Sequence, residues 1–180
     1  SMESLMPLQF VLPAVRYAPK LAETVSNWTR HLLSSFQLFY GKGQNPLKES
    51  RPDLNRAVPY ERLIQDPQTG EPVACGDFCG HRSVYGAGYL MWVEALVRPT
   101  QEPWIFALDL SLTDWVSWQK TPVFLVQNPH DVAKEVSFRP SHHWKKRCGA
   151  ADEWRVALPP KSCSFFTVGE DGGPVLWQAN

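Results

Sequence analysis

Between residues 85 and 178, apolar and polar positions alternate over short stretches broken by turn residues, a pattern that predicts a series of β-strands. The clearest stretch is Trp104 to Leu112. Trp104, Phe106, Leu108, Leu110 and Leu112 fall on one face; Ala107, Asp109 and Ser111 fall on the other, with Ile105 as the apolar exception. Because strand side chains point alternately to opposite faces, this reads as a sheet with one buried and one wetter surface. Further strands are expected at Tyr85 to Val97, with Gly86 and Gly88 marking a bulge, and at Val123 to Val126, whose nearly all-apolar run suits the centre of a sheet. Ala133 to Phe138, Trp154 to Leu158, Cys163 to Val168 and Val175 to Gln178 complete the set. Asn128-Pro129-His130-Asp131 is a turn, and Pro140 to Asp152 reads as a polar connection.

A different period governs residues 19–40. Leu21, Val25, Trp28, Leu32, Phe36 and Phe39 recur at spacings of three and four, giving one apolar helical stripe, with Glu23, Asn27, Arg30, Gln37 and several serines off it. Pro19 suits the first turn and Gly41-Lys42-Gly43 the end. Residues 41–72 are dense in Gly and Pro and predict a long irregular segment, with a turn at Asp66-Pro67-Gln68-Thr69-Gly70. The expected organisation is an extension at 1–18, an amphipathic helix at 19–40, a wrapping segment at 41–84 and a β-domain at 85–180, together one structural domain. The fold class that follows is mostly β: an antiparallel β-sandwich with an N-terminal amphipathic helix.

Val123 to Pro129, Val136-Ser137-Phe138 and Val156 to Val168 carry an x-Asn-Pro turn between two strands and a Leu-Pro-Pro-x-Ser corner entering a late strand. Over residues 123–168 the chain thereby resembles immunoglobulin-like accessory β-sandwich domains. The resemblance implies an immunoglobulin-like fold whose members mostly bind other molecules or brace neighbouring domains.

Composition sharpens this picture only in places. The apolar fraction of 43% allows a packed core, and eight Trp with nine Phe leave aromatics to spare for a binding surface. Lys and Arg total 18 against 18 Asp and Glu, so no global field steers the chain toward a polyanion. No apolar run approaches the roughly 18 residues of a membrane span, and the N-terminal apolar patch, broken by proline, makes a poor signal peptide. Four cysteines are too few for a disulfide scaffold; reduced thiols are expected, and with them a cytoplasmic or nuclear setting. The start, Ser1-Met2-Glu3-Ser4, allows that the segment belongs to a larger protein.

Three constellations can carry chemistry. Cys75, Cys79 and His81 lie within seven residues hinged by glycines and offer soft ligands to zinc, although the Cys-x3-Cys-x-His spacing lacks a second cysteine pair; a disulfide or ordinary thiols are the alternatives. Arg139, His142, His143, Lys145, Lys146 and Arg147 surround Trp144, a composition suited to nucleic acid or an acidic lipid. The competing reading is a solvated turn with Trp144 folded back on the core. Trp115, Trp118 and Trp144 are expected at an interaction surface. Neither a Gly-x-Ser-x-Gly elbow nor a phosphate-binding glycine loop occurs, so no catalytic residue and no cofactor beyond zinc is assigned. The expected function is non-catalytic: a protein–protein interaction or scaffolding module. An anion-binding sandwich using the 139–147 loop and a zinc-containing domain or enzyme are the alternatives.

Overall fold

A computed structural model describes residues 7–40, 64–65, 68–69, 72–73, 95–114 and 121–178. The chain divides into two compact units, one of Ser1–Leu8 with Thr29–Val93, the other of Gln9–Trp28 with Glu94–Asn180. Helix α1 covers Leu8–Ala14, within the stretch read as an extension; Leu12 and Val15 are buried on one side and Pro13 sits in its last turn. A 3-10 turn at Pro19–Leu21 then leads into α2, Ala22–Tyr40. The buried side of α2 includes Ala22, Val25, Ser26, Thr29 and Leu32, whereas Trp28 is only half-buried. Small residues thus replace Trp28 in the buried stripe, and Ser26 belongs to it despite its polarity. In the first unit, β1 (Ile64–Gln65) pairs antiparallel with β2 (Pro72–Val73) around a turn at Gln68 and Thr69, as the Pro-Gln-Thr-Gly signal predicts.

The second unit is mostly antiparallel β. Its strands are β3 (Val97–Pro99), β4 (Phe106–Asp109), β5 (Val123–Asn128) and β6 (Lys134–Phe138), then helix α3 (His142–Cys148), then β7 (Trp154–Leu158), β8 (Ser162–Val168) and β9 (Pro174–Leu176). They form a five-stranded sheet in the order β3-β4-β5-β8-β9 and a two-stranded sheet of β6 and β7, and among the described residues neither closes into a barrel. One apolar cluster is shared by the two sheets. Ala107, Phe124, Val126 and Phe166 come from the larger; Val136, Phe138, Trp154 and Val156 come from the smaller, and Trp144 joins them from α3. The rings of Phe124, Phe138 and Trp154 meet at centroid distances of 5.2–5.8 Å in tilted and edge-on arrangements favoured by aromatic quadrupoles.

Several local expectations change. The strand foreseen at 104–112 is only Phe106–Asp109, and Trp104 is 52% exposed in the preceding turn. The turn is fixed by Thr100, whose hydroxyl donates to the Ile105 carbonyl at 2.6 Å, and by the Ile105 amide donating to the Glu102 carbonyl. More consequentially, the face read as wetter is the one that meets the second sheet. Ile105 and Ala107 belong to the shared cluster, Asp109 is fully buried, and Leu108 and Leu110 are buried on the opposite side. Both faces of the larger sheet are covered at this strand, so alternation does not mark solvent here. Of the strand expected at Tyr85–Val97, residues 85–94 lie outside the described residues, as do Trp115 and Trp118; Ala95 and Leu96 are helical and β3 starts at Val97. The connection at 140–152 contains α3.

Edges and corners are managed by side chains. Pro99 stands on the outermost strand β3, where a missing N–H costs nothing in the ladder. Gln101 donates from Nε2 to the Glu135 carbonyl at 3.0 Å and accepts from the Ser137 amide at 2.9 Å, standing in for a strand along the outer edge of β6. Asn128, at the end of β5, is fully buried; its Nδ2 donates to the carbonyls of Val132 and Pro159, each at 2.9 Å, and its Oδ1 accepts from the His130 amide. This side chain holds the Asn-Pro turn against the Leu-Pro-Pro corner. Replacing Asn128 with Ala leaves these part-buried carbonyls without their side-chain donor, and we expect a loss of about 1–3 kcal/mol in urea unfolding at unchanged slope. A loss below about 1 kcal/mol would show the turn to be held by its proline and backbone alone.

Candidate functional site

The basic cluster is organised by α3. Its last turn carries Lys145, Lys146 and Arg147, where cations complement the negative end of the helix dipole. Gly149 ends it in the left-handed conformation (φ 70°), its amide donating to the Lys145 carbonyl at 3.0 Å. Ser141 occupies the N-cap position without making a side-chain capping bond. His142, His143, Lys145, Lys146 and Arg147 are all exposed, as is Arg139 just before the helix. Trp144 points the other way and is only 1% exposed, so it realises the competing reading in which it folds onto the core and does not serve as a surface anchor. His143 stands edge-on to its ring at 4.6 Å.

The residue that fixes this arrangement is Asp109. Its Oδ2 accepts from Trp144 Nε1 at 2.5 Å, and its Oδ1 accepts from the amides of Ser111 and Leu112, each at 3.1 Å. The two amide bonds turn the chain out of β4, and the indole bond sets the rotation of α3 about its axis. Burial pushes the Asp109 carboxyl from 3.8 up to about 6, against the opposing pull of the Trp144, Ser111 and Leu112 hydrogen bonds and the Arg98 charge. At its other end α3 meets the turn before β9. The Gly172 carbonyl accepts from the Ala151 amide at 2.9 Å and from Trp154 Nε1 at 3.0 Å. A Cβ on Gly172, whose φ is 83°, would fall 2.4 Å from the Gly149 carbonyl oxygen, so only glycine allows this approach.

The exposed charges are loosely paired. Lys145 donates to Asp152 at 2.5 Å, which draws the Asp152 carboxyl below its usual range, first through that hydrogen bond and then through the Lys145 charge. Both partners are largely exposed, so the pair contributes little to stability and is available for exchange with another anion. Cys148, half-buried in the last turn of α3, is a free thiol that burial pushes up. Cys75, Cys79 and His81 lie outside the described residues; among those described, no three His, Cys, Asp or Glu side chains gather in a way that would hold a metal ion. Sequence reading missed Asp109 because it took alternation as a guide to solvent, Gly149 because the connection at 140–152 was not read as a helix, and Gly172 because it stands in no motif. No protein-family model, curated protein or solved structure matches this chain.

The raised Asp109 carboxyl has a sign that can be tested. Between pH 3.8 and about 6 the folded protein holds a proton at Asp109 that the unfolded chain has lost. Stability from this group is therefore full at low pH and falls as pH rises through that window, by about 3 kcal/mol, then stays level. Urea unfolding of the wild type and D109N across pH isolates the effect, since other ionisations cancel in the difference. The wild type should lose stability relative to D109N up to pH about 6 and not beyond. A difference that is constant across the window would contradict the assignment.

Proposed function

We propose that the chain is a non-catalytic protein-interaction or scaffolding module of immunoglobulin-like β-sandwich type, and that its partner offers an acidic surface to α3. The observation that carries this reading is a short helix whose exposed positions hold His142, His143, Lys145, Lys146 and Arg147, while Trp144 and Asp109 lock its inner side. A surface whose groups are held by the core loses little freedom on docking, which favours recognition over diffuse attraction. The resemblance of residues 123–168 to accessory sandwiches supports the same reading.

Charge balance favours a protein over nucleic acid. The chain carries no net charge, and Asp152 and Glu153 lie exposed close after the helix, so a long polyanion meets mixed rather than uniformly positive surface. Among the described residues no helix is long and apolar enough to cross a membrane, and the free thiol of Cys148 suits a reducing, cytoplasmic or nuclear setting.

A K146E/R147E variant leaves the Lys145–Asp152 pair and the buried anchor in place. We expect a fluorescently labelled Glu/Asp-rich peptide to bind the wild type, and the variant to bind about tenfold more weakly, with a thermal midpoint lowered only slightly by the charge reversal at the helix end. A duplex DNA of equal charge, or vesicles rich in phosphatidylserine, binding more tightly than the peptide would transfer the reading to nucleic acid or acidic lipid. Absence of binding to all three probes would remove α3 as the interaction surface.

A further inference from the structure

Away from α3, the second unit contains a cleft of about 450 Å³ where the start of α2 passes the ends of β5 and β8. Two lysines, Lys20 and Lys161, stand on its walls with Glu23, Asn27 and Gln127. Gln127 is buried and pairs in register with Cys163, another lining residue, so this part of the wall belongs to the sheet itself. The volume is that of an ordinary small-molecule site.

Lys161 is the feature that distinguishes this cleft from a packing gap. It is the one non-glycine residue with positive φ (45°) among the described residues, in a region that favours glycine. Its amide donates to the His130 carbonyl at 2.9 Å, and its Nζ donates to the Pro129 carbonyl at 2.8 Å and lies 3.3 Å from Asp131 Oδ1. The ammonium is thus drawn toward the Asn-Pro turn at the rim of the cleft, and it is largely exposed there. A side chain that occupies a glycine position and yet gains only solvent-exposed partners points to use of its charge.

The geometry points to a binding site for a small hydroxylated anion, a sugar phosphate or a hydroxy acid, in this cleft. Lys20 and Lys161 supply the counter-charge for phosphate or carboxylate oxygens, Lys161 by exchanging its exposed partner Asp131 for the ligand. The Glu23 carboxylate accepts hydrogen bonds from ligand hydroxyls. Among the described residues the lining holds no aromatic ring, which disfavours nucleobases and other ligands bound by stacking. The site shares no residue with α3, so it stands or falls independently of the interaction surface described above.

Two-dimensional amide NMR of the protein, titrated with ribose 5-phosphate, with citrate and with ribose, tests this assignment. Saturable shifts at residues 19–27, 127–129 and 161–163 are expected with one or both anions and not with ribose; which anion binds more tightly separates phosphate from carboxylate recognition. K161G suits the left-handed backbone and removes the ammonium, so it should keep or raise the thermal midpoint while weakening binding about tenfold. K20A, on the helical side of the cleft, should weaken binding similarly without touching the turn. No saturable shift up to about 10 mM of either anion, shifts confined to α3, or wild-type affinity in both variants would overturn the proposal.

Discussion

A carboxylate without water is the constraint around which the second unit is arranged. Asp109 ends β4 with no exposed surface, and every hydrogen bond it accepts does structural service: two backbone amides steer the chain away from the sheet and one indole fixes a helix. Burying the group is unfavourable, as its carboxyl being pushed up to about 6 shows, and an apolar residue of similar size would avoid that penalty. What an apolar residue would not supply is direction. Trp144 packed on hydrocarbon alone is oriented by shape only, with nothing that requires Nε1 to point one way, and the rotation of α3 would be less sharply set. The hydrogen bond removes that freedom and so decides which side chains of α3 face outward.

Around this point the structure closes its remaining liabilities with single side chains. Gln101 completes the hydrogen bonding of β6, Asn128 braces the turn beyond β5, and Gly172 admits the α3 cap because it has no Cβ. At the other end of the chain, Arg16 pairs with Asp114 at 2.9 Å and Tyr17 donates to the same carboxylate at 3.0 Å, fastening the segment after α1 to the chain beyond β4. Most of this pair is buried, so removing Arg16 would take a cation away from a carboxylate that has little water to replace it. The parts that show chemistry to solvent, α3 and the cleft beside α2, are therefore displayed by polar contacts inside the fold and not by the apolar core alone.

Strand existence was legible in the chain because β5 to β9 combine strong alternation or continuous apolarity with turn residues on both sides, and β5, read as a sheet centre, lies between β4 and β8. Facing was not legible. Periodicity states that Ala107 and Asp109 share a side of β4, but not that the smaller sheet and α3 cover that side, because the cover comes from residues about 30 positions later. Helix α3 escaped for a related reason: seven residues give too few turns for a period to emerge, and His142-His143 look like loop composition. The signal was present in its boundaries, with Ser141 at an N-cap position, three cations in the last turn and Gly149 after it. The cleft was invisible in sequence, since Lys20, Gln127 and Lys161 are brought together only by the packing of α2 beside β5 and β8.

A buried hydrogen bond between Asp109 and Trp144 holds the basic helix in one orientation. The indole Nε1–H resonance of Trp144, followed by NMR from pH about 4 to about 8, reads that bond directly. The predicted result is a slowly exchanging indole proton that shifts with a midpoint near 6, in step with the α3 amides. An indole proton that exchanges as fast as that of an exposed tryptophan, or that keeps one shift across the whole range, would contradict it.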